Sequence, residues 1–407
     1  MENKTAPGHT AFIDRYSRAV EAECRHILDW WMTHMTDAGG EGFYGSMDWQ
    51  GNIEVTAPRG LVMYSRILWT FSAGYIHQQQ PAYLQTAQSA YDYLLRYFYD
   101  QQSGGMYWSV DENGHVLEDK KQVYGIAFAI YGLSEFYRAG GNREAPQLAI
   151  ELFDTIEKVN AGNPGGGYIE AFSRDWQPLQ DLRLSEKDAN EKKSMNTHLH
   201  VLEAYTALYR SWKNEKLQKA IRSLLDIFES HIIDPSTFTQ QLFFTEDWQP
   251  RSAIVSYGHD IEASWLLYEA ATVLEDAALA AHWKTIALQM AEASIKGLDA
   301  DGGMWYEKEG DELIREKHWW PQAEAMVGYL NAYELSGDER FLERSAHSFA
   351  FIKKHLADPQ QGEWCWGIDA MGHILQKEKA GFWKCPYHNG RACMEVQQRL
   401  QHIAGTS

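Results

Sequence analysis

The sequence predicts an all-α fold, an (α/α)6 barrel of twelve helices with short hairpins at the mouth. Three observations lead there. A turn rich in glycine and aromatics recurs along the chain, the recurrences stand about sixty residues apart, and helical periodicity fills every gap between them.

The turns read Gly39-Gly40-Glu41-Gly42-Phe43-Tyr44, Gly104-Gly105-Met106-Tyr107-Trp108 and Gly165-Gly166-Gly167-Tyr168. They continue at Gly302-Gly303-Met304-Trp305-Tyr306 and Gly362-Glu363-Trp364-Cys365-Trp366, and Leu242-Phe243-Phe244 supplies a sixth without glycine. Most are followed by a second turn, such as Asn113-Gly114 or Gln50-Gly51-Asn52, so each repeat holds a short hairpin. One set of helices is expected at 11–35, 81–99, 143–160, 216–233, 278–297 and 338–357. The second set, after each hairpin, is expected at 58–77, 121–139, 191–213, 257–275, 318–336 and 384–405. The second set is the more apolar, as in Leu61-Val62 through Trp69-Thr70-Phe71, and helices apolar over most of their circumference belong inside. Six inner and six outer helices follow. No linker or low-complexity segment divides them, so residues 1–407 are expected to form one domain.

Composition narrows the partners. The chain carries 37 basic and 56 acidic residues, a formal charge of −19. Nucleic acid and anionic membranes call for clustered Lys and Arg and are therefore not expected. With 16 Trp, 22 Tyr and 16 Phe, aromatic platforms for sugar rings are plentiful. The four cysteines, Cys24, Cys365, Cys385 and Cys393, include no CxxC pair and read as a reduced, cytoplasmic set. Met1 to Arg15 shows no apolar stretch of the kind a leader needs. No run reaches the eighteen or so apolar residues of a membrane span.

In such a barrel the inner helices all run one way, and their N-terminal ends meet at one mouth. The unusual residues of the chain sit at those ends. Ser256-Tyr257-Gly258-His259-Asp260-Ile261-Glu262 opens a helix, and its His259 and Glu262 stand three apart on one face. A histidine backed by a carboxylate suits proton transfer near neutral pH. Asn196-Thr197-His198-Leu199-His200 holds two histidines that a helix turns about 200° apart. His200 is expected to face inward and His198 to bond between helices, which argues against a metal-binding HxH. His318-Trp319-Trp320-Pro321 and Trp383-Lys384-Cys385-Pro386-Tyr387-His388 both place a proline near a helix start. Arg66 lies among apolar residues, where it needs polar or anionic company. There is no dinucleotide fingerprint, P-loop or nucleophile elbow. A glycosidase would want two carboxylates, such as Glu262 and Asp188, but the excess of histidines argues for acid–base work on a neutral sugar.

Several stretches together resemble the N-acylglucosamine 2-epimerase superfamily, and within it the cellobiose 2-epimerases. They are Ala57-Pro58-Arg59-Gly60 with Ser65-Arg66-Ile67-Leu68-Trp69-Thr70-Phe71, Ser194-Met195-Asn196 through Tyr205, and Gly258-His259 through Trp265. His318-Trp319-Trp320-Pro321 through Ala325, Gly381-Phe382-Trp383-Lys384 and Pro386-Tyr387-His388-Asn389-Gly390-Arg391 complete the set. The resemblance implies 2-epimerisation of the reducing-end glucose of a β-1,4-linked disaccharide through a cis-enediolate, with no cofactor and no metal. It implies His259 and His388 as the two acid/base groups and His200 as an aid to ring opening. Arg66, with Tyr124 and Asn196, would stabilise charge on O1, and Glu262 would orient or tune a histidine. Trp383 would stack on the second sugar, Asp188 would hydrogen-bond its hydroxyls, and Trp320 would wall the reacting ring, with Trp319 beside it. Free glucose and mannose as substrates, or aldose–ketose isomerisation, are the nearest alternatives. A monomer or homodimer is expected.

Overall fold

The structure, a computed structural model, describes residues 7–39 and 41–406. Gly40 of the first turn, and Met1 to Ala6 of the N-terminal stretch, lie outside them. Among the described residues twelve α-helices alternate. The odd-numbered ones are α1 (Pro7–His34), α3 (Pro81–Tyr93), α5 (Ala145–Val159), α7 (Glu215–Ile227), α9 (Ala277–Ser294) and α11 (Glu339–His355). The even-numbered ones are α2 (Leu61–Gln78), α4 (Val123–Arg138), α6 (Met195–Ser211), α8 (Tyr257–Val273), α10 (Trp319–Ser336) and α12 (Tyr387–Thr406).

Apolar content sorts them into layers. Helix α2 is buried without a break from Leu61 to Ser72, and α4 from Val123 to Phe136. Helix α7 buries only Leu217, Ala220, Ile221, Leu224 and its close neighbours, a stripe at three- and four-residue spacing. Accordingly α2 packs on α4, α4 on α6, α6 on α8, α8 on α10, α10 on α12, and α12 back on α2. This inner ring closes on itself, and the odd helices lie outside it, each mainly against one even helix, α1 against α12. The expected barrel is the observed one.

The two layers start their helices differently. Side chains cap α7, α9 and α11: Asn214, Asp276 and Asp338 accept from the first-turn N–H groups, each worth about 1 kcal/mol. Among the inner helices Ser194 caps α6, accepting from Thr197 N–H, and several, α6 included, are also pinned by the next repeat. The first N–H of α2 donates to Trp108 O (3.0 Å), of α4 to Glu170 O (3.0 Å), of α6 to Leu242 O (2.8 Å) and of α10 to Trp366 O (2.9 Å). Two-residue strands just before these helices continue that pairing, Arg59–Gly60 with Ser109–Val110, Lys121–Gln122 with Ala171–Phe172, Lys193–Ser194 with Phe243–Phe244 and Lys317–His318 with Gly367–Ile368. The helix starts expected at 58, 121, 191 and 318 therefore fall slightly early, because the residues at those points serve as rungs between repeats. His318 is such a rung rather than a helical residue.

Inner helices approach closely where one of them lacks a side chain. A Cβ at Gly328 of α10 would stand 2.5 Å from Ile261 Cγ1 and 2.7 Å from the Ile261 carbonyl of α8. Gly328→Ala should therefore cost about 1–3 kcal/mol and lower the melting temperature by a few degrees in calorimetry. Gly405→Ala, where nothing lies within 4 Å, should leave it unchanged.

Candidate active site

The ring brings its histidines together through buried carboxylates. His388, in the first turn of α12, hydrogen-bonds through Nδ1 to Glu324 Oε1 of α10 at 2.6 Å. His200 of α6 hydrogen-bonds through Nδ1 to Glu203 Oε2 at 2.8 Å, one turn along the same helix. A carboxylate on Nδ1 holds the proton there and leaves Nε2 as the basic atom. His259 differs: its Nδ1 meets the Ser256 hydroxyl at 2.8 Å. The rings of His259 and His388 lie 4.6 and 5.8 Å from that of Trp320. Both candidate bases thus border one flat indole.

Behind them Arg391 satisfies three glutamates at once. Its Nη2 donates to Glu262 Oε1 (2.8 Å) and Glu324 Oε1 (2.7 Å), and its Nη1 donates to Glu203 Oε1 and contacts the Tyr387 hydroxyl. Its guanidinium also stacks on Tyr387 and Trp265. Glu262, Glu324 and His388 bring ligand atoms within 4.8 Å of one another, a geometry suited to a cation, and Arg391 supplies one. The expected pairing of Glu262 with His259 is therefore corrected. The two share a helical face, but Glu262 turns to Arg391, while its Oε2 is buried without a partner.

Opposite lies Arg66 of α2. Its Nη2 donates to the Tyr124 hydroxyl of α4 (2.9 Å), its Nη1 donates to Trp383 O (3.3 Å), and its guanidinium covers the Phe128 ring at 4.2 Å. Asn196, at the start of α6, keeps Oδ1 unpartnered. Trp108, Phe382, Trp383 and Tyr124 form an aromatic wall, with Trp383 5.9 Å from Trp108 and 6.0 Å from Tyr124. Of the tandem tryptophans only Trp320 meets the histidines. Trp319 turns to Trp366 and lies beneath the Lys384 ammonium. Asp188 stands on the loop between the Ala171–Phe172 and Lys193–Ser194 strands, its Oδ2 accepting from Ser185 N and Oγ, and its charge acts on Tyr306 and Glu307. Sequence reasoning missed Glu203, Glu324 and Arg391 as site residues. Glu203 repeats the three-residue spacing behind a histidine that drew attention to Glu262, and that signal was available.

With this geometry in hand, the comparisons are decisive. A family model described as N-acylglucosamine 2-epimerase matches residues 42–392. The chain belongs to the N-acylglucosamine 2-epimerase family. It is 48% identical to a cellobiose 2-epimerase of Bacteroides fragilis, over 91% of this chain and 95% of that one. Among solved structures, the cellobiose 2-epimerase of Spirochaeta thermophila superposes with a TM-score of 0.91 at 40% identity, covering 97% of this chain and 98% of that one. That of Bacillus thermoamylovorans gives 0.89 at 38% identity, over 96% and 99%. No helix among the described residues is long and apolar enough to cross a membrane.

Electrostatics equip this family member for proton transfer. Burial pulls the His259 imidazole down to about 3, and burial together with Arg66 and Arg391 holds His388 well below its usual range. Each ring is thereby biased toward its neutral form, the form that can take a proton from carbon. Burial pushes Glu203 up, but Arg391 and His200 outweigh it and bring the carboxyl down to about 2. Burial and the adjacent Glu324 charge push Glu262 well above the usual carboxylate range. A base whose pKa is depressed stays unprotonated to lower pH. The acid limb of kcat/KM should accordingly lie below pH 6.5, with a flat rate through that value. A pH–rate profile measured on cellobiose checks this, and a limb centred above 6.5 would contradict it.

Proposed function

We propose that this chain is a carbohydrate epimerase that inverts C2 of the reducing-end glucose in β-1,4-linked disaccharides, turning cellobiose into glucosylmannose and lactose into epilactose. The observation that carries the mechanism is the pair of histidines, His259 and His388, bordering Trp320 from two different helices. Support for the substrate class comes from relatives named cellobiose 2-epimerase at up to 48% identity.

In the proposed sequence His200 helps to open the sugar ring and holds its oxygens. One histidine then takes the C2 proton, the C2–H electron pair moves into a C1–C2 double bond, and negative charge collects on O1. Arg66, aligned by Tyr124 and assisted by Asn196, stabilises that charge, since a fixed cation stabilises a developing oxyanion more than the ground-state carbonyl. The other histidine, protonated from water as the negative charge of the enediolate develops, gives that proton to the opposite face of the planar cis-enediolate, and the first histidine releases the abstracted proton to solvent. Two bases are required, because one base returning its own proton to the same face restores glucose. Glu324 on Nδ1 of His388 stabilises the imidazolium that forms there. Trp320 walls the reacting ring, Trp383 stacks on the second sugar, and Asp188 binds its hydroxyls.

The reading includes a cytoplasmic setting, which four unpaired, buried cysteines support. It also includes turnover without a cofactor or metal. Dialysis against a chelator should leave the rate unchanged, and a loss restored by one divalent ion would overturn that part.

Replacing His259 or His388 by Ala should abolish epimerisation while circular dichroism keeps the helical signal. Product made from cellobiose in heavy water should carry deuterium at C2. An active variant of either histidine, or unlabelled product at full conversion, would refute the two-base scheme. A side-by-side product profile from cellobiose, lactose, mannose and glucose tests the substrate class. Preference for the free monosaccharides would favour a glucose–mannose 2-epimerase.

A further inference from the structure

Trp383 sits on an irregular stretch between the last hairpin and α12, with no helix or strand to hold it. The stretch is fastened at one end: Met47 N–H donates to Ala380 O (2.8 Å) and Lys379 N–H to Met47 O (2.9 Å). Beyond that the chain turns sharply, with Gly381 N–H donating to Lys384 O at 2.8 Å. The Trp383 carbonyl is held by Arg66. On the N-terminal side of Trp383 stands the half-buried Glu378.

The Glu378 carboxylate folds back into its own turn. A Cβ at Gly381 would stand 2.2 Å from Glu378 Oε2, 2.3 Å from Cδ and 2.6 Å from Oε1, so the carboxylate occupies the volume that a side chain at 381 would need. From there it faces the Trp383 backbone N–H, with the Lys384 charge nearby. Phe382 is seated in a matching way. Its ring lies where a Cβ at Gly60 would be, 2.4 Å from that position, at the residue that precedes α2. The turn is thus locked by two glycines whose missing side chains are replaced by Glu378 and Phe382.

We propose that Glu378 is a positioning residue for substrate selection: seated against Gly381 and facing the Trp383 N–H, it fixes the Trp383 indole where the second sugar is to stack. The inference rests on the reading that Trp383 meets that sugar. Glu378 itself touches no reacting atom. Losing it should release the indole and weaken disaccharide binding without slowing the chemistry.

Glu378→Ala should raise KM for cellobiose roughly three- to tenfold, the equivalent of one lost aromatic stacking contact, with kcat within about twofold of the parent. Glu378→Gln, which keeps the shape and an acceptor for the N–H, should restore most of the affinity. Gly381→Ala should mimic Glu378→Ala by evicting the carboxylate. The double variant should be no worse than the poorer single one, because alanine at 378 vacates the space that the new Cβ needs. Additive losses, or a Glu378→Ala effect confined to kcat, would overturn the proposal. So would a crystal structure of Glu378→Ala with Trp383 unmoved. Trp383→Ala serves as the control for the underlying reading. If it leaves KM for cellobiose unchanged, the second-sugar role of Trp383 fails, and the position of the indole in the Glu378→Ala crystal structure still decides whether Glu378 holds it.

Discussion

One guanidinium in the middle of the ring organises the site. Arg391 is fully buried, and a buried charge is costly unless opposite charges and hydrogen bonds offset it. Both Nη atoms are paired, while Nε has no partner. Its partners come from three other inner helices: Glu203 from α6, Glu262 from α8 and Glu324 from α10. Removing one member of such a buried network costs about 3–5 kcal/mol, because its partners are left uncompensated. The same atoms set the chemistry. Glu203 carries His200 on its second oxygen, and Glu324 Oε1 serves both Arg391 and His388. Four inner helices are thereby fixed in rotation by the bonds that set two histidine tautomers, so fold and site cannot be adjusted separately.

At the mouth a second device repeats with the fold. A cation just before an inner helix reaches an acid at the end of the preceding outer segment, from a strand in Arg59 with Asp37, Lys121 with Asp100 and Lys317 with Asp299 and Asp301, and from the irregular stretch before α12 in Lys379 with Asp358. In the third repeat Lys193 has no acid and takes three carbonyls instead, those of Pro164, Gly166 and Glu246. These ties lie at the same level as the pinned first N–H groups of the inner helices. Together they make the mouth a stiff rim, on which irregular segments such as that of Trp383 can be held in register.

The barrel was legible because its signals are local and repeated. Glycine–aromatic turns and the contrast between a continuous apolar run such as Leu61–Phe71 and the stripe of α7 need no knowledge of distant contacts. Tandem residues were less legible. Trp319 and Trp320 look equivalent in sequence, yet neighbours on a helix point about 100° apart, so only Trp320 meets His259 and His388. Glu262 shows the limit most clearly. Spacing identifies partners along one helix and suggests His259, while the bond that wins joins Glu262 to Arg391, 129 positions away on another helix. Glu324, inside an apolar stretch of α10, carries no local mark of its role. Closed-ring topology creates these contacts, and only the closed ring displays them.

The two histidines are not equivalent, and the difference bears on how the proposed cycle renews itself. His388 is buried and tied to Glu324, whereas His259 is half-buried and tied to a neutral hydroxyl. A carboxylate partner stabilises an imidazolium and a hydroxyl does so far less, but Arg66 and Arg391 oppose a charge on His388, so burial and different neighbours hold both rings below the usual imidazole range. A turnover in which His388 accepts and His259 donates leaves the pair with its proton on the wrong side. The enzyme must then either run the reaction backwards or move that proton home. His259, reachable from the mouth, can reload from water. Behind His388 stand three carboxylates sharing one arginine, and burial with the Glu324 charge pushes Glu262 well above the usual carboxylate range. A carboxyl that readily holds a proton beside the buried histidine gives that proton a place to go. Three carboxylates around one arginine leave this side of the site with acid in excess of base.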